Sequence, residues 1–206
     1  MENSAITVTA QSISKSFGPA RILEGISFSL GTGESIAVTG PNGSGKSTLC
    51  EILAGIRRPT GGSIEYTLNR QPLCGDGLLR VIGIASPRIN PYEALTGMEN
   101  VEFAARARGI DMSSTLPLFE TFGLHRHRGK ALRHYSSGMR QRLKLILAVL
   151  HHPALLILDE PGSNLDAEGR RQFAAYIDSL RTRTAIIIAT NDMEEARLCR
   201  GAVSLA

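Results

Sequence analysis

The segment 40-GPNGSGKS-47 directly follows the apolar segment Ser35–Thr39 and indicates the class of fold. It fits the pattern G-x-x-x-x-G-K-[ST], with Lys46 and Ser47 in the last two positions. Glycine adopts positive φ without strain, so such a loop can wrap its N–H groups around an anion. The residues that follow predict a helix over 47–54, whose N-terminus presents further N–H donors. A strand, a glycine loop and a helix in this order predict a phosphate-binding loop.

The residues of this loop are expected to divide the contacts with a nucleoside triphosphate and Mg²⁺. Lys46 supplies a full charge between the β- and γ-phosphates, and the Ser47 hydroxyl can ligate Mg²⁺, while Thr48 can bond the α-phosphate. The alternative interpretation, a flexible surface turn, leaves the flanking strand and helix unexplained. The predicted binding residues are Gly40, Pro41, Asn42, Gly43, Ser44, Gly45, Lys46, Ser47 and Thr48.

A second chemical element is the pair of carboxylates that ends the apolar run Leu155–Leu158. Doubly wound proteins bind ligands at the carboxyl edge of their parallel strands, and the pair would lie there. We expect Asp159 to hold Mg²⁺ through water and Glu160 to polarise the attacking water in hydrolysis. Adjacent carboxylates are often solvated loop ends or helix caps. The glycine loop upstream favours the catalytic interpretation.

The remaining pattern alternates strands with helices. Turn residues divide residues 6–39 into three strands near the edge of a sheet. Further strands are predicted at 63–66, 81–85, 155–158 and 185–189, and further helices at 96–108, 114–122, 136–149, 167–180 and 193–198. This alternation predicts an α/β fold with a mostly parallel sheet and helices on both of its faces.

The composition limits the class of protein. A chain of 206 residues with 42% hydrophobic residues suits one globular α/β domain. Its longest apolar runs, 143–150 and 154–158, are far shorter than the roughly 20 residues of a bilayer-spanning helix. The N-terminus MENSAITVTA lacks signal-peptide features, so we expect a cytosolic chain. The net charge is +4, but basic residues are scattered and aromatic residues make up only 5%, which argues against nucleic-acid binding.

Three further segments resemble motifs of the ABC ATPases. The stretch 135-YSSGMRQRL-143 resembles the L-S-G-G-Q signature, while 159-DEP-161 and 163-SNLD-166 resemble the end of Walker B and the D-loop. The ordered set covers essentially the whole chain, which is therefore similar to ATP-binding subunits of ABC transporters. The resemblance implies a single domain over 1–206. It implies a P-loop NTPase core, an antiparallel N-terminal β subdomain and a helical subdomain at about 88–150 that carries the signature.

The same resemblance implies further contacts with ATP. Phe17 falls where the family has an aromatic residue that stacks on adenine, and Asp166 lies in the D-loop. Ser136 and Gly138 of one subunit would cap the γ-phosphate that the glycine loop of a second subunit holds, so ATP would drive dimerisation and hydrolysis would release it. The alternative for Ser136 is a plain helix N-cap. Whether the second ATP-binding subunit is identical stays open.

The chain also departs from the family pattern. Ser137 and Met139 replace the usual glycine and glutamine of the signature, and Ser86-Pro87 stands where the Q-loop glutamine is expected. Mg²⁺ would therefore rely on Ser47, Asp159 and water. Asn191 occupies the place of a catalytic histidine; it can donate a hydrogen bond to the γ-phosphate but carries no proton or positive charge, so slow hydrolysis is expected.

The leading expectation is an ATP-hydrolysing transporter subunit that lies at the inner face of the cell membrane. It would dock through the region around Pro87–Gly109 on a separate integral membrane transporter subunit. Its short length is similar to exporter subunits such as those linked to haem export. The alternatives are a nucleotide-binding regulatory subunit with weak hydrolysis and a soluble ABC ATPase outside transport, which normally has tandem ATPase units or a long coiled coil.

Overall fold

Residues 5–205, which the computed structural model describes, form two sheets with helices around them. The ends of the predicted domain, residues 1–4 and 206, lie outside the described residues. The strands are β1 (Ile6–Phe17), β2 (Ala20–Gly31), β3 (Ser35–Thr39), β4 (Gly61–Leu68), β5 (Gln71–Pro72), β6 (Ile82–Ala85), β7 (Leu155–Asp159), β8 (Ala185–Thr190) and β9 (Gly201–Ser204). The helices are α1 (Lys46–Leu53), α2 (Asp76–Val81), α3 (Gly97–Arg108), α4 (Leu116–Thr121), α5 (Ser137–Val149), α6 (Ala167–Leu180) and α7 (Met193–Ala196).

The central sheet is parallel, with strand order β6-β7-β8-β3-β9. Every residue of β7 and β8 is buried, which is typical of parallel strands covered on both faces. Leu156 and Leu158 pack in a cluster with side chains of α5 and α6. Leu155 and Ile157, on the opposite face, pack with α1 and the second sheet. The α/β class and the mostly parallel sheet are therefore confirmed.

The second sheet is antiparallel, with strand order β2-β1-β4-β5. It is built mainly from the N-terminal segment, as the resemblance implied. Its inward side chains, among them Val8 and Leu30, share a core with α1 and the central sheet. This packing places the end of β1 beside the start of α1, because both elements border the same core.

The helical part of the chain lies between β6 and β7. Thr96 caps α3 with the predicted capping box: its hydroxyl accepts the Glu99 N–H, and the Glu99 carboxylate accepts the Thr96 N–H. Gly109 ends the helix in a left-handed conformation. Val101 of α3, Phe119 of α4 and neighbouring side chains of α5 are buried in one core. The helical part thus packs onto the central sheet through α5.

Several boundaries differ from those expected. β1 and β2 belong to the antiparallel sheet, whereas β3 lies near the edge of the parallel one, where the short strand β9, which the pattern did not predict, pairs with its outer side. Val81 ends α2 instead of starting a strand, and β5 was also not predicted. The helix expected from residue 114 begins at Leu116 after a 3₁₀ turn, and α7 ends at Ala196 instead of 198. These are short or exposed elements, where local periodicity is weak.

Within residues 5–205, no helix combines the length and apolar character needed to cross a bilayer.

Candidate nucleotide-binding site

The glycine loop joins β3 to α1 at the carboxyl edge of the parallel sheet. Gly40 and Gly45 have φ of 153° and 96°, and a Cβ on Gly45 would lie 2.8 Å from Ile22 Cγ2. A Cβ on Gly40 would lie 2.6 Å from the Leu205 carbonyl oxygen. Glycine is therefore required at both positions. Gly45 also caps α1 without a side-chain hydrogen bond, which leaves N–H groups at this helix end for a ligand.

Lys46 is held within the loop that it is predicted to serve. Its ammonium donates to the carbonyl oxygens of Gly40 at 2.8 Å and Pro41 at 3.1 Å, and it lies 3.9 Å from Glu160 Oε1. The side chain is only 6% exposed. A buried ammonium with carbonyl partners is poised for phosphate oxygens, which offer stronger, charge-assisted bonds in the same place.

Asp159 ends β7 as a buried carboxylate. Its Oδ2 accepts a hydrogen bond from Ser86 Oγ at 3.2 Å, and the Ser47 hydroxyl also bonds to the carboxylate. Burial raises the pKa of Asp159, and these hydrogen bonds and the charge of Lys46 oppose the rise. Its buried Oδ1 has no hydrogen-bond partner among residues 5–205. An unpaired carboxylate oxygen beside a serine hydroxyl fits a hard cation such as Mg²⁺.

Glu160 follows with a backbone that points its side chain into the pocket. Its φ is +50°, a conformation that non-glycine residues seldom adopt and that is often retained at functional sites. The carboxylate accepts the backbone N–H of Asn191. Burial raises the pKa of Glu160, and the neighbouring charge of Lys46 opposes the rise. A carboxylate of raised pKa is a stronger base than a solvated one.

Asn191 directly follows β8 and connects it to the glycine loop. Its Nδ2 donates to Asn42 Oδ1 at 3.1 Å, although 149 positions separate the two residues. The backbone of Asn191 bonds to Glu160 at the same time. The structure thus brings Asn191 to the phosphate loop and the carboxylate predicted to act on water.

These residues surround a pocket of about 440 Å³. Its walls include Lys46, Ser47, Thr48 and Glu160, so the glycine loop and the catalytic candidate line one space. Arg88 also lines it, and the sequence did not predict a role for this residue. The available signal was a cation two positions after Ser86, in the loop that lacks the expected glutamine.

Phe17 lies at the end of β1 and lines the same pocket. Its ring is 45% exposed, and the Lys15 ammonium and the Arg57 guanidinium lie 5.3 Å and 5.1 Å from the ring centre. An exposed aromatic face at the edge of a phosphate pocket can stack on a base.

The signature residues Ser136 and Gly138 lie at the N-terminus of α5. Ser136 caps α5 by accepting the Met139 N–H at 3.2 Å, as the plain helix-cap alternative required. A Cβ on Gly138 would lie 2.7 Å from the Asn164 carbonyl oxygen, so this residue packs against the predicted D-loop. Within residues 5–205, neither Ser136 nor Gly138 lines the nucleotide pocket. The N-terminus of α5 therefore lies outside that pocket.

Asp166 is likewise outside the lining of the pocket that residues 5–205 form. It caps α6 by accepting the Gly169 N–H at 2.8 Å and pairs with Arg142 at 2.6 Å. The hydrogen bond from Gly169, with the nearby Arg142, lowers the pKa of Asp166. Asp166 thus fixes the start of α6 next to Arg142, a side chain of α5.

The family model described as "ABC transporter" matches residues 23–163, more than half of the chain. The chain belongs to the ABC transporter family. YxlF of Bacillus subtilis (strain 168), an uncharacterised ABC transporter ATP-binding protein, is 34% identical over 195 residues, which cover 92% of this chain and 64% of YxlF. SrtF of Streptococcus pyogenes, a lantibiotic transport ATP-binding protein, is 33% identical over 186 residues, which cover 90% of this chain and 80% of SrtF. The chain therefore spans less than two thirds of YxlF.

Solved structures give the same family and fold. An ATP-binding subunit of an ABC transporter superposes with a TM-score of 0.83 at 30% identity, over 96% of this chain and 85% of that one. A dimeric bacterial ABC transporter cassette superposes with a TM-score of 0.85 over 96% of this chain and 94% of that one. Its identity is 23%, so this second likeness shows the fold alone. The predicted resemblance to ABC ATPases is confirmed.

Proposed function

We propose that this chain binds ATP with Mg²⁺ and hydrolyses it as the ATP-binding subunit of an ABC transporter. One observation carries the proposal. The glycine loop with Lys46, the Ser47–Asp159 pair with its unpaired oxygen, and Glu160 meet at one edge of the parallel sheet. A structural role alone does not explain why a buried lysine, an unpaired buried carboxylate oxygen and a glutamate with a left-handed backbone conformation lie together.

Each group has a role that its surroundings support. Lys46 and the N–H groups at the start of α1 hold the phosphates, while Ser47 and Asp159 hold the cation. Mg²⁺ held by Ser47 and Asp159 would supply positive charge that offsets the negative charge of the phosphates. Glu160 accepts a hydrogen bond from the attacking water and orients it toward the γ-phosphate. Asn191 donates hydrogen bonds on the same side but offers no positive charge, which favours slow turnover.

We further propose that two ATP-binding subunits form the complete site. The helix end at Ser136 and Gly138 is an anion-binding feature that lies outside the chain's own pocket. A second chain that presents this end would cap the exposed side of the nucleotide. The match to a cassette described as dimeric is in keeping with this arrangement. Asp166 would support it by fixing the start of α6 near the signature helix.

A separate cavity of about 220 Å³ is proposed as the docking place of the membrane subunit. It lies between β6, the loop after it, α3 and α5, within the region expected around residues 87–109. Tyr92 and Phe103 line it and are 58% and 54% exposed, with ring centres 5.3 Å apart in an edge contact. Exposed aromatic side chains around a cavity suit an apolar helix or loop of a partner. Such docking would place the chain at the cytoplasmic face of the membrane.

The transported substrate stays a prediction. A relative from Mycobacterium tuberculosis is described as a fluoroquinolones export ATP-binding protein, which favours an export role for this chain. The expected similarity to haem exporter subunits draws on length alone, and no feature of the nucleotide site bears on the substrate.

Glu160→Gln tests the proposed hydrolysis. The change keeps size and hydrogen bonding but removes the base, so ATP binding should persist while phosphate release falls to the background measured without protein. The measurement is phosphate release by the purified wild-type and Glu160→Gln chains with Mg²⁺ and ATP, alongside a binding titration. Equal release by both chains above background would remove Glu160 from the catalytic role, whereas wild-type release no faster than background would assign the regulatory alternative.

A further inference from the structure

Arg88 is a cation of the nucleotide pocket that has no part in the proposed hydrolysis. It lines the pocket together with Phe17 and Glu160. Its side chain is 62% exposed, so the guanidinium is accessible from the pocket. It follows Pro87, which stands where the family resemblance predicts a neutral glutamine.

Glu51 determines where the Arg88 side chain lies. Arg88 Nη1 donates to Glu51 Oε1 at 2.8 Å. Glu51 is one turn after Ser47 on α1, so the two residues share a face of the helix. The guanidinium is therefore held on the side of α1 where the cation-binding serine lies.

The same carboxylate is shared with a second arginine. Arg57 Nε donates to Glu51 Oε2 at 2.6 Å, while Arg88 bonds to the other oxygen. Burial alone raises the pKa of Glu51, but the two arginines bring it below its ordinary value, so the group is ionised. The Glu51 carboxylate carries one negative charge, and the two arginines carry two positive charges. The three side chains together therefore have a net positive charge, which attracts an incoming anion.

The backbone around Arg88 is held near Asp159, the proposed ligand of Mg²⁺. Ser86 Oγ accepts the Arg88 N–H at 3.3 Å and donates to Asp159 Oδ2 at 3.2 Å. Lys144 of α5 donates to the Ser86 carbonyl oxygen at 3.3 Å. The loop is thus anchored at Asp159 and at α5, while the Arg88 side chain stays exposed.

We propose that Arg88 is a specificity-determining residue that favours ATP over ADP by binding the γ-phosphate. This inference rests on the proposed binding of ATP. The glycine loop contacts phosphates that both nucleotides contain, whereas Lys46 and the pocket wall of Ser47 and Glu160 also face the terminal phosphate of ATP. When ATP binds, the Arg88 guanidinium exchanges its bond with Glu51 for bonds with γ-phosphate oxygens. Arginine suits this exchange because its planar fork matches phosphate oxygens in pairs.

The test compares affinities for a non-hydrolysable ATP analogue, AMP-PNP, and for ADP, both with Mg²⁺, by calorimetric titration. Arg88→Gln should weaken AMP-PNP binding about tenfold and ADP binding less than about twofold, because only the terminal phosphate loses a charged partner. Arg57 still pairs with Glu51 in this variant, which protects the fold. Arg88→Lys retains the charge but loses the planar fork, so its preference for AMP-PNP should lie between those of wild type and Arg88→Gln.

Arg57→Gln is the matched control, since it removes the other partner of Glu51 and the cation over the Phe17 ring. It should change both affinities by the same factor, because the base is common to both nucleotides. An equal loss for both nucleotides in Arg88→Gln would overturn the inference and leave Arg88 a structural partner of Glu51. A wild-type chain that binds neither nucleotide would overturn the proposed function itself, and the inference with it.

Discussion

The N-termini of α1 and α5 are both proposed to face phosphate, but they differ in how their own chain satisfies them. At α1, the cap residue Gly45 has no side chain to occupy the free N–H groups, and Lys46 lies buried beside them. At α5, the Ser136 hydroxyl already accepts the Met139 N–H and is exposed to solvent. This difference is in keeping with the proposal that the first end binds a nucleotide within one chain and that the second acts on a nucleotide held by another chain.

Lys46→Ala should produce the largest effect at the α1 end. It removes the full positive charge of the glycine loop, so ATP affinity should fall at least tenfold, about 1.4 kcal/mol or more. Calorimetric titration at protein concentrations that keep the chain monomeric measures this. The matched change at the other end is Ser136→Asp, which keeps a good helix cap and should leave this affinity within about twofold of wild type. Equal affinities of wild type and Lys46→Ala would refute the assignment of the first end.

Asn191→His should give a smaller effect, and on the rate instead of the affinity. A protonated histidine offers the γ-phosphate a positive charge that the amide lacks, so hydrolysis should rise by about tenfold. ATP affinity should change little, because the gain develops with charge in the transition state. Steady-state phosphate release at matched protein concentration is the measurement. An unchanged or lower rate in a folded, ATP-binding variant would make Asn191 a turn residue that also bonds to Asn42.

The glycine loop, the acidic end of β7 and the cap of α3 were predictable from the sequence because each depends on neighbouring residues. Gly40 and Gly45 need positive φ, and Thr96 and Glu99 cap each other over three positions. The alternation of apolar segments likewise indicated the parallel sheet. Such features are local, so a single sequence contains their full pattern.

The missed features depend on tertiary contacts. Arg88 reaches Glu51 across 37 positions, and Asn191 reaches Asn42 across 149, so no local spacing signals either pair. β9 has a short and mostly exposed sequence, and its place beside β3 follows from the parallel register of the whole sheet. The position of Ser136 outside the chain's own nucleotide pocket is not among the missed features, because the resemblance implied that this residue faces the nucleotide of a second subunit.

In the proposed dimer, the two helix ends act on the same nucleotide only when they belong to different chains. Phosphate release by a mixture of Lys46→Ala and Ser136→Asp chains tests it directly. Each variant alone should be inactive, since every site in its dimer contains one damaged half. A mixed dimer regains one intact site, so an equal mixture should recover about a quarter of the wild-type rate if chains pair at random. A mixture no more active than the two variants measured separately would contradict a site shared between two copies of this chain.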